Sequence, residues 1–93
     1  MHVAVLTVEI FIPGADSLKD KRQVVKSLVE SIRRKFNVSA AEVDQNDIWR
    51  RATLGFATVS NERALVSEIL DKVVQEIDNE LRCELTHREV EIY

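Results

Sequence analysis

The segment EVDQNDIWRRA, from Glu42 to Ala52, holds the densest group of side chains that could do chemistry. Three carboxylates and two amides precede the only tryptophan, and two arginines follow it. Asp44, Asn46 and Asp47 resemble the first ligands of a calcium-binding loop. Such a loop also needs Gly at its sixth position and Glu at its twelfth. Those positions hold Trp49 and Gly55 here. We therefore expect a carboxylate-rich turn and no metal.

Other catalytic or metal chemistry has little support. Cys83 and His87 are four residues apart, but structural zinc needs four ligands and no second pair is present. Cys83 has no evident base beside it, and two isolated glycines do not make a phosphate loop. Glu42 and Asp44 could share a strand face as a carboxylate pair, although a solvated strand end explains them more simply. The sequence predicts a protein that is not an enzyme and has no cofactor, with an enzyme or small-ligand sensor as the least favoured alternative.

The basic residues are concentrated in one segment. Seven of the 13 Lys and Arg residues lie between Ser17 and Phe36, whereas Asn61 to Leu81 is strongly acidic. At 3.6 residues per turn, four of the seven share one flank of a helix. Together with Arg50 and Arg51, these four cations could contact RNA phosphates. A solvated helix face is the simpler alternative. The six candidate contact residues are Lys19, Arg22, Lys26, Arg33, Arg50 and Arg51.

Two interpretations fit Trp49. Its ring could pack against a sheet, burying roughly 200 Å². It could instead be an exposed anchor in a protein interface, where Trp and Arg are enriched. We favour packing over the interface.

Hydropathy patterning predicts six elements in the order β-α-β-β-α-β. Period-two alternation marks the strands, and apolar stripes at helical spacing mark the helices. The predicted strands are Val3–Ile12, Val38–Val43, Ala52–Val59 and Cys83–Tyr93, and the predicted helices run from a Ser17 cap to Phe36 and from a Ser60 or Asn61 cap to Leu81.

Four local features accompany this order. Ser17 and Asp20 fit a capping box, in which each side chain accepts the other residue's backbone N–H. Gly55 inside a strand indicates a bulge or a close approach. The apolar parity of the last strand changes, so we expect an irregularity near Thr86 and His87. Lys21 falls beside the apolar stripe of the first helix, where a lysine must snorkel or find a carboxylate; Glu42, Asp44 and Asp47 are the candidates.

The element order predicts an α+β, ferredoxin-like β-α-β-β-α-β sandwich: a four-stranded antiparallel sheet with two helices on one face and strands one and three in the centre. The other face is left bare and carries Val3, Val5 and Phe11, which with Trp49 are candidate interface residues. Phe11 and Phe56 weakly resemble the base-stacking rings of an RNA-recognition motif.

Bulk properties predict a single domain, 1–93, because 93 residues are too few for two. The apolar fraction of 45% and the charged fraction of 31% fit a globular chain rather than a disordered one. The single cysteine allows no intrachain disulfide, and the N-terminus lacks the basic region and cleavage site of a signal peptide. We expect a cytoplasmic protein with no membrane contact.

The stretches SLKDKRQVVKSL, FNVSAAEVD, DIWRRATLG and the final EIY resemble the YlxP-like family of small bacterial proteins of unknown function. The resemblance covers almost the whole chain and implies a ferredoxin-like fold. In many genomes the family's gene lies near those for a translation initiation factor and a ribosome-binding factor, which implies a ribosome-associated role. No catalytic residue can be carried over. The matching positions are Ser17, Leu18, Lys19, Lys21, Arg22, Phe36, Asn37, Glu42, Asp47, Trp49 and Ala52.

Two functions remain open at this stage. The first is a non-enzymatic binding module that contacts ribosomal or other structured RNA through the basic residues. The alternative is a homodimeric protein-interaction module that uses the open sheet face without binding nucleic acid.

Overall fold

Six elements make up the structure, a computed structural model that describes all 93 residues. The order β-α-β-β-α-β is as predicted. Most boundaries lie within two residues of the expected ones. The elements are β1 (His2–Phe11), α1 (Leu18–Lys35), β2 (Ser39–Asp44), β3 (Arg51–Ser60), α2 (Arg63–Asp78) and β4 (Glu84–Ile92).

The four strands form one antiparallel sheet in the order β2-β3-β1-β4. The prediction that strands one and three are central is confirmed. α1 packs against β2, and α2 packs against β1, β3 and β4. The ferredoxin-like fold class is therefore confirmed, and β2 and β4 are the exposed edges of the sheet.

The core fills the space between the sheet and the helices. Alternate residues of β1, from Ala4 to Ile10, have no exposed surface, while their neighbours are half-buried. Phe56 faces the same core from β3 and is 1% exposed. The apolar stripes of α1 and α2 cover this face, because each helix buries its residues at three- and four-residue spacing.

α2 is shorter than its apolar pattern predicted. It ends at Asp78, so Leu81 lies beyond it and is 99% exposed. The predicted caps are also wrong, since Glu62 is the N-cap and its side chain makes no capping bond. The Ser60 hydroxyl instead accepts from the Glu62 N–H at 3.1 Å. A serine before a helix can close a short turn instead of capping the helix.

The irregularity expected near Thr86 is present. His87 pairs with Glu9 and Leu85 pairs with Ile10, so Thr86 is an extra residue between them. Its hydroxyl donates to the Glu9 carbonyl at 3.1 Å. This bulge explains the change of apolar parity along β4, because one inserted residue moves the following side chains to the other face.

The close approach predicted at Gly55 is also present. The register of β2 shifts between Glu42 and Asp44, which leaves Val43 as the extra residue. A Cβ at Gly55 would lie 3.1 Å from Cγ1 of Val43. Gly55 therefore makes room for the Val43 side chain on the open face of the sheet.

Candidate functional site: a basic groove and an open sheet face

Lys21 is the most deeply buried charged residue, with no exposed surface. Its Nζ donates to the carbonyl oxygens of Gln45 at 2.8 Å, Asn46 at 3.1 Å and Arg51 at 3.2 Å. Glu42 Oε2 lies 2.8 Å away and completes an ion pair. Since an ammonium has three N–H groups and three carbonyls use them, Glu42 supplies charge rather than a directed hydrogen bond.

This cluster fastens α1 to both ends of the loop between β2 and β3. Of the three carboxylates considered for Lys21, Glu42 is the partner. Asp44 instead accepts from the Gln45 N–H at 2.8 Å, and Gln45 adopts a left-handed φ of 61°. The acidic segment is thus a turn, as expected, and Lys21 holds it through its backbone carbonyls. No group of three or more His, Cys, Asp or Glu side chains is placed to hold a metal ion.

A groove with a volume of about 390 Å³ runs between α1 and the outer edge of β2. Three of the predicted phosphate contacts, Arg22, Lys26 and Arg33, line it, together with Glu30 and Glu42. Its floor is aliphatic and consists of Val25, Val29 and Ala41.

The cations on this flank of α1 differ in whether they have a hydrogen-bond or ion-pair partner, and all but Lys19 line the groove. Lys19, Arg22 and Lys26 are exposed and form no ion pair or side-chain hydrogen bond. Arg33 Nη2 donates to the Ala40 carbonyl at 2.6 Å, so it also covers an acceptor of the edge strand. Three cations without an ion-pair partner therefore lie with Arg33 on the flank of α1 that the helical spacing predicted, and Glu30 and Glu42 are the acidic residues near them.

The six candidate cations do not form one surface. Arg50 Nε donates to the Ala15 carbonyl at 3.0 Å and its Nη2 lies 3.5 Å from Asp16 Oδ1. The Arg51 guanidinium lies 5.5 Å from the centre of the Phe11 ring, on the open face of the sheet. These contacts, with the segment before α1 for Arg50 and with Phe11 for Arg51, turn both side chains away from the groove.

Trp49 does not pack as we favoured. It is 53% exposed, in the loop before β3. The loop is anchored instead by Lys21, whose Nζ donates to the backbone carbonyls of Gln45, Asn46 and Arg51 on either side of the ring. The alternative, an exposed contact residue, stays a prediction.

The open face is apolar at one end and charged along one edge. Val3 and Val5 are half-buried on this face, as predicted, and Val3 pairs with Val59, which is 51% exposed. Tyr93 exchanges backbone hydrogen bonds with Val3 and continues the row. Next to this row is a depression of about 430 Å³ between β2 and β3, lined mainly by Val3, Val38, Ala57 and Val59. β4 contributes the charged edge, with Glu84, His87, Glu89 and Glu91.

Sequence reasoning missed Val59 and Tyr93 on this face. The signal for Val59 was available, because odd-numbered residues of β3 lie opposite odd-numbered residues of β1. The signal for Tyr93 was also available, because even-numbered residues of β4 share the core face beyond the bulge at Thr86, which leaves odd-numbered ones on the open face. The weak resemblance to an RNA-recognition motif is wrong: Phe56 is buried in the core, and Arg51 lies over Phe11.

Cys83 is buried immediately before β4. Burial raises the pKa of the thiol to about 11, and the Glu80 carboxylate adds to the shift. A neutral, enclosed thiol is a poor nucleophile, because the thiolate is the reactive form.

No helix is long and apolar enough to cross a membrane.

The topology places the protein in the class of ferredoxin-like α+β domains. Two similar solved structures are de novo designed proteins. One, described as having a ferredoxin fold, gives a TM-score of 0.66 at 18% identity and covers 97% of this chain and 85% of its own. The other, Foldit4, gives a TM-score of 0.56 at 14% identity and covers 100% and 97%. Because designed proteins share this fold, it carries no function of its own.

The chain belongs to the family described as a protein of unknown function (DUF503), which matches residues 3–90. It is also 39% identical over 71 residues to the uncharacterized protein YlxP of Bacillus subtilis (strain 168), covering 76% of this chain and 77% of that one. The resemblance to the YlxP-like family is thereby confirmed. No catalytic family is indicated by these relatives.

Proposed function

We propose that this protein is a non-enzymatic binding module that contacts structured RNA, such as ribosomal RNA, through the groove between α1 and β2. The observation that supports this proposal is the row of unpaired cations on one flank of α1, Lys19, Arg22 and Lys26, of which Arg22 and Lys26 line the groove. Cations that neutralise phosphates release condensed counterions, and this release drives most of the affinity for RNA.

The charge distribution favours one direction of approach. α1 ends in three basic residues, Arg33 to Lys35, whereas the open-face edge of β4 is lined with glutamates. The net charge of the chain is only −3, so the local field and not the mean charge decides where a polyanion docks. A polyanion is attracted to the α1–β2 side and repelled from the β4 edge.

The test compares two triple variants with the same change in net charge. Lys19, Arg22 and Lys26 are changed to Glu in one, and the exposed residues Arg63, Lys72 and Arg88 in the other. We expect the α1 variant to bind purified ribosomal subunits and a structured ribosomal RNA fragment at least about tenfold more weakly, because three phosphate contacts are reversed. The control variant should bind like the wild type.

Equal binding by both variants and the wild type would remove the proposal. Circular dichroism and thermal melting of each variant establish that the fold is intact. Wild-type affinity is measured at several salt concentrations, since phosphate-driven binding must weaken steeply as salt rises.

A second candidate function is a homodimer formed through the open sheet face. The apolar row Val59, Val3 and Tyr93 and the adjoining depression favour it, because exposed apolar patches mark interaction sites. Strands about 4.8 Å apart with up to ten residues at about 3.3 Å each give this face roughly 600 Å². That area approaches the roughly 800 Å² per partner of a standard interface, and it fits a second copy of this chain.

The dimer is tested by light scattering and sedimentation over a range of concentrations. We expect Val5→Glu and Val59→Glu to give monomers, because each places a charge in the apolar patch. Leu65→Glu makes the same charge change at an exposed position of α2 and should leave the dimer intact. A wild type that stays monomeric at high concentration would remove this candidate.

A further inference from the structure

We infer that the groove between α1 and β2 binds the sugar–phosphate backbone of double-helical RNA and does not bind unpaired bases. This inference rests on the proposed RNA-binding function and names the class of RNA. It follows from where the cations lie and from where the aromatic rings lie.

The groove offers charge without a stacking surface. Its charged lining is three cations and two glutamates, and its apolar floor is valine and alanine without an aromatic ring. Recognition of single-stranded RNA depends on bases stacked on aromatic rings. A strand in this groove would find phosphate partners and no ring for its bases.

The aromatic rings outside the groove are poorly placed to stack on the bases of a nucleic acid, because they are buried, covered or next to a carboxylate. Phe56 is buried in the core, and the Arg51 guanidinium lies over Phe11. The Tyr93 hydroxyl donates to Glu91, so a carboxylate lies beside that ring and repels phosphate.

Trp49 is exposed but has no accompanying cation from its own segment. Arg50 contacts Ala15 and Asp16, and Arg51 contacts Phe11. A stacking site for nucleic acid combines a ring with a positively charged path for the backbone. The segment around Trp49 supplies the ring alone.

The energetics favour a partner whose backbone is already ordered. A flexible single strand loses conformational entropy on binding, and stacking worth about 1–3 kcal/mol per base normally offsets that loss. The backbone of a duplex is already ordered by base pairing, so it loses less conformational entropy on binding. The flank from Lys19 to Arg33 covers fourteen residue steps of one helix, about 21 Å at about 1.5 Å per residue, and so presents a row of charges on a regular backbone to the regular backbone of a duplex.

The experiment measures affinity for a fluorescein-labelled 20-base-pair RNA duplex and for one of its strands, chosen not to fold on itself, in the same buffer. We expect the duplex to bind at least about tenfold more tightly than the single strand. This difference corresponds to the one or two stacking contacts that the strand would need and does not find. A second duplex of unrelated sequence should bind equally, because phosphate contacts carry no sequence information.

The only tryptophan provides a second measurement. Its emission should stay unquenched when the duplex saturates the protein, and Trp49→Ala should bind the duplex within about twofold of the wild type, since no base stacks on the ring. Lys26→Ala should lower the steepness of the salt dependence by about one phosphate contact.

The outcomes separate the inference from the proposal on which it rests. Tighter binding of the single strand with quenching of Trp49 would overturn the inference and leave the RNA-binding function in place. Failure of both the duplex and the strand to bind, together with unaltered subunit binding in the α1 triple variant, would overturn both.

Discussion

Lys21 shows how one residue can serve the fold although its type suggests a functional site. A buried lysine loses its hydration, and it is tolerated only where acceptors and an opposite charge replace the water. Three carbonyls and Glu42 do so here. The cluster is therefore a structural clamp on the β2–β3 loop, and the acids around it need no further role.

We predict that Lys21→Met lowers the free energy of unfolding by about 3 kcal/mol, because it leaves the partly buried Glu42 without its counter-charge and three carbonyls without donors. Glu42→Gln should cost less, since the carbonyl bonds to Lys21 remain. Urea titration gives both values. Lys26→Met, on the exposed flank of the same helix, is the control and should change stability by no more than about 0.5 kcal/mol. Equal losses at Lys21 and Lys26 would contradict the clamp.

Cys83 gives a prediction about pH. Because the folded protein raises the pKa of the thiol from 9.0 to about 11, the native state favours the protonated form. The resulting stabilisation is present below pH 9 and is lost as the pH rises from 9 to 11. We expect the wild type to lose stability over this interval more steeply than Cys83→Ala, as measured by urea midpoints. Parallel curves would show that the thiol does not contribute.

At the scale of elements, the start of α1 follows its sequence closely. Ser17 Oγ accepts from the Asp20 N–H at 3.1 Å, as predicted. The return bond differs: Asp20 Oδ2 accepts from the Asp16 N–H at 3.0 Å rather than from Ser17. The carboxylate thus fixes the residue before the cap, and it lies in the first turn, where the helix dipole favours a negative charge.

We predict that Ser17→Ala destabilises the protein by about 1 kcal/mol, because one N–H of the first turn loses its acceptor. Ser31→Ala, inside α1 and away from its N-terminus, is the matched control and should be neutral or stabilising by up to about 0.5 kcal/mol, since alanine has the higher helix propensity. Thermal and urea unfolding of both variants provide the comparison. A larger effect at Ser31 than at Ser17 would argue against the cap.

At the scale of the whole molecule, the two proposed surfaces lie on different sides. The basic groove borders α1 and the edge strand β2, and the apolar patch lies on the opposite face of the sheet. The two proposed functions are therefore compatible, since a dimer through the sheet face would leave both grooves accessible.

Salt should separate the two surfaces in one preparation. RNA affinity falls with salt because each phosphate contact releases counterions. Dimerisation through the apolar patch should hold or strengthen, because salt screens the repulsion between the Glu89 and Glu91 residues of the two copies. Sedimentation with and without labelled RNA, over a series of salt concentrations, follows both equilibria. A dimer that dissociates as salt rises would show that charge pairs, and not the apolar face, hold it.

Much of this architecture could be predicted from local patterns. The alternation in β1 and the stripes of α1 and α2 identify the elements, because strands repeat every two residues and helices every 3.6. The bulge at Thr86 was visible as a change of parity. The end of α2 was missed, because Leu81 continues the apolar spacing but lies beyond the last helical residue, Asp78. Apolar periodicity indicates which residues would face the core if the helix continued, but it does not show where the helix ends.

The sequence by itself determined the order of the elements, the cap at Ser17 and the basic flank of α1, since each depends on residues close together in the chain. The tertiary structure decided which carboxylate pairs with Lys21, that Arg50 and Arg51 turn away from the groove, and that Trp49 is exposed. These outcomes depend on contacts between residues distant in the chain, and spacing along the chain does not specify the distances across it.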